Sequence, residues 1–146
     1  MILLACIVTT VLSATAAGRQ SKTKEDAVRP VLVVYKTIGE VELKLHIFEP
    51  PGRDAKELSP AIVFFFGGGW VGGTPKQFYH QCEYFASRGM VAISAEYRVK
   101  NKHGTTPFEC VADGKSAIRW IRANAGRLGV NPNKIVAGGG SAGGHV

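Results

Sequence analysis

The sequence is poor in cysteine, with three residues in 146: Cys6, Cys82 and Cys110. None stands at metal-site spacing from another or from His46, His80, His103 or His145, so no metal is expected. Dense charge is also missing. The 18 Lys and Arg outnumber the 11 Asp and Glu, for a formal net charge of +7, but they scatter from Arg19 to Lys134. The densest basic run, Arg98-Val99-Lys100-Asn101-Lys102, has no interleaved aromatic residue. That excludes a nucleic-acid partner and reads as solvated surface. There is no internal repeat and no low-complexity tract.

The first 17 residues carry no charge at all. Met1 to Leu12 is apolar, and Ser13-Ala14-Thr15-Ala16-Ala17 offers small residues in A-x-A form. This is the pattern of a secretory signal peptide, too short for a stable membrane span, although the positive n-region is missing. The expected organisation is a signal peptide over 1–17, a flexible polar lead-in over 18–30 and one domain over 31–146. A secreted or periplasmic protein follows. Removing the signal removes Cys6, and Cys82 and Cys110 are left either to pair or to lie buried separately.

What remains is ordinary globular material, 45% hydrophobic and 20% charged, with mean hydropathy +0.04. Val31 to Ile38 is rich in β-branched residues, Gly39-Glu40 turns, and Val41 to Ile47 alternates apolar with polar. The pair predicts a half-exposed antiparallel hairpin. Ala61 to Phe66 is apolar at every position, as a strand buried on both faces of a parallel sheet must be, and Met90 to Ala95 reads as another buried strand. Thr74-Pro75 opens a helix that Gly89 closes. Pro107 opens a longer helix with Val111, Ala117, Ile118 and Ile121 inward. Asn131-Pro132-Asn133 turns into a last strand, Lys134 to Ala137. Strands alternating with helices predict an α/β fold with a mostly parallel sheet.

Two glycine-rich turns follow buried strands. In Gly139-Gly140-Ser141-Ala142-Gly143, a G-x-S-x-G turn from strand to helix exposes the Ser hydroxyl in a strained conformation. Gly139 and Gly143 stand where side chains would clash, and the helix N-terminus faces any developing oxyanion. In Phe66-Gly67-Gly68-Gly69-Trp70, glycines leave backbone N–H groups open to a substrate oxygen.

Together with Ala95-Glu96-Tyr97-Arg98, these turns resemble the hormone-sensitive-lipase-like branch of the α/β-hydrolases. That branch includes carboxylesterases and the related acetyl-xylan and feruloyl esterase-like proteins. The resemblance runs from about Val31 to Val146, the N-terminal half of such a domain. It implies that Ser141 is the nucleophile and that Gly68, Gly69 and Ala142 supply oxyanion-hole N–H groups. Glu96-Tyr97-Arg98 becomes a structural turn. The implied substrate is a small-molecule ester, in one reading an acylated carbohydrate, with no cofactor. Phe66 departs from the branch, which usually carries His there. The implied triad order is Ser, then Asp or Glu, then His, so acid and base are expected beyond Val146. His145, His80 and His103 lack a motif for the base role, and Asp113 precedes Ser141, with a salt bridge or helix surface as its plain reading. The chain alone is therefore expected to be inactive.

Two other motif outlines are present but incomplete. Gly67 to Gly72 satisfies G-x-G-x-x-G with Glu96 after the next strand, the outline of a dinucleotide-binding protein. However, the expected helix starts only after Gly73, and Trp70 lies inside the motif. Asp113-Gly114-Lys115-Ser116 ends like a P-loop, but Glu109 stands where the first glycine belongs. A degenerate hydrolase without catalysis is the remaining alternative.

Overall fold

The computed structural model describes residues 29–54 and 57–146. The expected signal peptide and nearly all of the lead-in lie outside them. Strands β1 (Val31–Ile38) and β2 (Val41–Phe48) form the expected antiparallel hairpin, turning at Gly39. Strands β3 (Ser59–Phe65), β4 (Val91–Ala95) and β5 (Val130–Gly139) run parallel, in the sheet order β1-β2-β4-β3-β5. A 3-10 turn at Pro75–Phe78 leads into α1 (Tyr79–Ala86). The short α2 (Lys100–His103) precedes α3 (Pro107–Ala123) and α4 (Ala125–Leu128). No helix among the described residues is long and apolar enough to cross a membrane.

Strand periodicity divides the core into two layers. Val63, Phe65, Ile93 and Ala95 face one side, against Cys110, Ala117 and Ile121 of α3. Ile62, Phe64 and Ala92 face the other, against Cys82 and Ala86 of α1. Strands covered on both faces are mainly apolar, as β3 and β4 are; the fully buried Ser94 of β4 is accommodated by donating its hydroxyl to the Pro75 carbonyl at 2.8 Å. Cys82 and Cys110 therefore occupy opposite sides of the sheet, and both are free and buried. That decides the alternative left open by their spacing. Burial pushes the Cys82 thiol up to about 12, with Glu83 adding to the rise, so it behaves as packing.

The structure corrects several local readings. The alternation of β2 stops at Leu45, and His46, Ile47 and Phe48 are all buried. His46 is accommodated because Nε2 meets Glu96 Oε1 at 3.1 Å and Nδ1 meets the Tyr79 hydroxyl. Burial opposes ionisation of Glu96, but its hydrogen bonds from His46 and from the Lys44 amide win and hold it below the usual carboxylate range. In β5 the Asn131-Pro132-Asn133 turn becomes an irregularity inside the strand: Ser59 pairs with Val130, and Ala61 already pairs with Ile135. Asn131 Oδ1 accepts the Asn133 amide at 3.0 Å, so a side chain replaces the sheet partner there.

The inner face of α3 also differs. Cys110, Asp113, Gly114, Ala117 and Ile121 are its buried residues, and Val111 is only half-buried. Asp113 is fully buried, so the salt-bridge reading holds and the helix-surface one does not. Its carboxylate takes Lys36 Nζ at 2.7 Å, Arg98 Nε at 2.8 Å and Arg98 Nη2 at 2.9 Å. The Arg98 amide donates to it as well, at 3.1 Å. One carboxylate thus joins β1, the segment after β4 and α3.

Candidate active site

Ser141 sits where β5 gives way to a 3-10 turn, Ser141–Gly144. Its φ is +51°, in the left-handed region that non-glycine residues avoid, and its side chain is exposed. The turn closes with Gly143 N donating to Gly140 O at 2.9 Å. It passes so close to the sheet that a Cβ on Gly143 would lie 2.0 Å from the Phe65 carbonyl oxygen. A Cβ on Gly139 would lie 2.2 Å from the Gly143 carbonyl oxygen. Backbone on both sides leaves nothing flexible to yield. Gly143→Ala is expected to cost at least about 1–3 kcal/mol through overpacking. Chemical denaturation checks this, and an unchanged midpoint would show that the turn stands clear of β3.

The glycine loop meets this turn directly. A Cβ on Gly67 would lie 2.8 Å from the Gly140 carbonyl oxygen, so only a bare backbone permits the approach. Gly67 N donates to Gln77 Oε1 at 2.7 Å, a buttress that no sequence signal identified, because Gln77 comes near only through the 3-10 turn. Gly68 (φ +141°), Gly69 (φ +62°) and Trp70 (φ +61°) carry the chain round the loop, and Val71 N and Gly72 N donate back to Gly68 O. Gly68 and Gly69 are exposed, and among the described residues their own N–H groups have no acceptor. Ala142 is buried and lies in the first turn of the 3-10 segment, where backbone N–H groups lack intrahelical acceptors. The Trp70 and His145 rings meet edge to face at 5.6 Å, tying the loop to the end of the chain.

The Glu96-Tyr97-Arg98 turn supports the loop from beneath. Tyr97 stacks on Phe66 with centroids 4.2 Å apart and donates its hydroxyl to the Phe66 carbonyl at 2.5 Å. Burial, with Cys110 nearby, pushes the Tyr97 hydroxyl up to about 12, so it stays a donor. Phe66, where the resembled branch has His, thus packs as a core aromatic.

No histidine here reaches the Ser141 hydroxyl. His145 Nδ1 lies 3.4 Å from the Ser141 backbone oxygen. His103 Nδ1 accepts the Val99 amide at 3.0 Å. The side chain of His80 is 94% exposed beside Glu83, and His46 is occupied by Glu96 and Tyr79. Asp113 is committed to Lys36 and Arg98. Among the described residues no cluster of His, Cys, Asp and Glu is suited to a metal.

Comparison with known proteins agrees with this architecture. The BD-FAE family model matches residues 45–146. AB hydrolase superfamily protein C1039.03 of Schizosaccharomyces pombe is 39% identical over 105 residues, covering 68% of this chain and 29% of its own. Carboxylesterase NlhH of Mycobacterium tuberculosis is 28% identical over 138 residues, covering 91% and 42%. The propionate-bound esterase Est2 of Thermogutta terrifontis superimposes with a TM-score of 0.79 at 55% identity, over 82% of this chain and 44% of that one. The chain thus spans less than half the length of these relatives. By the extent of the family match and by its sheet, the chain belongs to the BD-FAE family and has the α/β-hydrolase fold.

Proposed function

We propose that the protein hydrolyses small carboxylic esters with Ser141 as nucleophile. The observation that carries this is the backbone of Ser141, an exposed hydroxyl on a residue forced to φ +51°, against the glycine loop. In the reaction, the hydroxyl oxygen attacks the ester carbonyl while a base takes its proton. The carbonyl oxygen becomes an oxyanion facing the N–H groups of Gly68, Gly69 and Ala142, and the alcohol leaves. Water then attacks the acyl-enzyme and releases the acid. No cofactor enters these steps. The carboxylesterase relatives support ester hydrolysis, and the propionate- and butyrate-bound forms of the Thermogutta esterase favour a short acyl group.

The acid and base of the triad are proposed to lie outside these 146 residues, because no histidine here bonds the Ser141 hydroxyl. His46 and His103 are held by other partners, His80 is exposed beside Glu83, and His145 meets only the Ser141 backbone oxygen. The isolated chain is then expected to turn over p-nitrophenyl acetate no faster than its Ser141→Ala variant. Ser141-dependent turnover would place a base within it. The nucleophile itself is tested with paraoxon, which phosphorylates the Thermogutta esterase. In the full-length protein the reagent is expected to modify Ser141 alone, read by mass spectrometry of the peptide. Labelling at another residue would remove Ser141 from the role.

A further inference from the structure

Gly67 leads into the exposed Gly68 and Gly69 amides, and it has to be glycine. A Cβ there would meet the Gly140 carbonyl oxygen at 2.8 Å. The residue type with the widest backbone freedom therefore stands just before the N–H groups that need fixed positions. Something other than its own side chain must supply the restraint.

Two side chains supply it, at the two ends of one planar peptide unit. The Phe66 carbonyl accepts the Tyr97 hydroxyl at 2.5 Å, and the Gly67 N–H donates to Gln77 Oε1 at 2.7 Å. Tyr97 follows β4 and Gln77 belongs to the 3-10 turn before α1, so two separate elements grip this plane. Further along, the Gly68 carbonyl accepts from the Val71 and Gly72 amides at 3.0 and 3.2 Å. That carbonyl shares a peptide unit with the Gly69 N–H and sets its direction. The unit between, which carries the Gly68 N–H, is positioned by its two held neighbours.

Gln77 also touches the nucleophile turn. Its Oε1 lies 3.4 Å from the Cβ position of Gly67 and 3.7 Å from that of Gly140, the residue before Ser141. One oxygen thus occupies the seam between the two glycine turns. Gly67 is buried and Gln77 is exposed, and among the described residues no other acceptor meets the Gly67 N–H. A buried N–H left without an acceptor is costly, so the loop would shift to regain one. An amide suits this place. A carboxylate would accept the same N–H but bring negative charge beside a forming oxyanion, and a hydrocarbon chain would accept nothing.

We propose that Gln77 is a positioning residue for ester hydrolysis: by holding the Gly67 N–H it fixes the Gly68 and Gly69 amides relative to Ser141. The proposal rests on the esterase reading. Its test uses the full-length protein, where Gln77→Met keeps the length of the side chain and removes the acceptor. This variant is expected to lower kcat for p-nitrophenyl acetate about tenfold to a hundredfold, with KM within about twofold of wild type. In a Ser141→Ala background, where no turnover enters, the Gly67 amide should exchange its hydrogen at least about tenfold faster with Gln77→Met than without it. Wild-type turnover that Ser141→Ala abolishes is established first. Its absence defeats the esterase reading, whereas its presence with an unchanged Gln77→Met defeats only the role of Gln77.

Gln77→Glu is the conservative variant and carries the test should Gln77→Met fail to fold. It retains an acceptor, so the Gly67 amide should stay protected. Its kcat should still fall, through the added charge, and recover in part as sodium chloride is raised toward about 1 M. The proposal is overturned by a Gln77→Met kcat within about twofold of wild type, by a loss carried by KM, or by an equally protected Gly67 amide. A Gln77→Glu kcat equal to that of wild type at all salt concentrations overturns it as well.

Discussion

Ser141→Ala in the full-length protein is expected to lower kcat/KM for a short-chain p-nitrophenyl ester by about 10⁴- to 10⁶-fold. The loss should fall on kcat, because the hydroxyl does chemistry and contributes little to holding substrate. Stability should change by far less. Alanine is smaller than serine, the side chain is exposed, and its oxygen bonds nothing among the described residues. The strain of the left-handed φ stays, since alanine dislikes that region as serine does. A variant with intact folding and activity within tenfold of wild type would sink the assignment. Residual activity above water is expected from the oxyanion donors alone.

Asp113→Ala should be the most damaging change to the fold, at about 3–5 kcal/mol. The substitution removes a carboxylate with no exposure and leaves Lys36 and Arg98 facing each other beside a small cavity. It also frees the Arg98 amide. Because Arg98 follows Tyr97, which holds the Phe66 carbonyl, the glycine loop should loosen as well. Asp113→Asn keeps the volume and isolates the charge effect. Thermal melts of both variants check this, and a loss below 1 kcal/mol would mean that water screens the cluster.

The same cluster predicts a pH dependence. Burial works to raise the Asp113 pKa, but hydrogen bonds from Arg98 and Lys36 prevail, so the folded value is lowered. A lowered carboxylate stabilises above its unfolded pKa of about 3.9 and loses that contribution as pH falls through the folded value. The contribution should be level from neutral pH down to about 4–5 and fall only in stronger acid. In Asp113→Asn this component of the acid loss should be absent.

Much of the fold was legible because one physical signal dominated each element. Ala61 to Phe66 and Val91 to Ala95 have no polar face, and only a strand covered on both sides suits them. The capping box of α3, Thr106 with Glu109, shows why the helix starts at Pro107. Where the reading slipped, a distant partner had changed the local rule. His46 lies on the expected polar face of its strand, yet Glu96 and Tyr79 let it be buried. Asp113 looks like surface on a helix until Lys36, 77 positions away, neutralises it.

By itself, then, the sequence left out the short α2 and α4 but determined the order of the strands and of the two longer helices, the two glycine turns and the residue proposed as nucleophile. These depend on local period and on backbone freedom, which neighbouring residues carry. Tertiary structure alone decided that the cysteines lie on opposite sides of the sheet and that Gly67 touches Gly140. It also decided that no histidine bonds the Ser141 hydroxyl and that Asp113 is buried against Lys36 and Arg98. Such facts rest on contacts between residues far apart in the chain, and no local pattern encodes who the partner is.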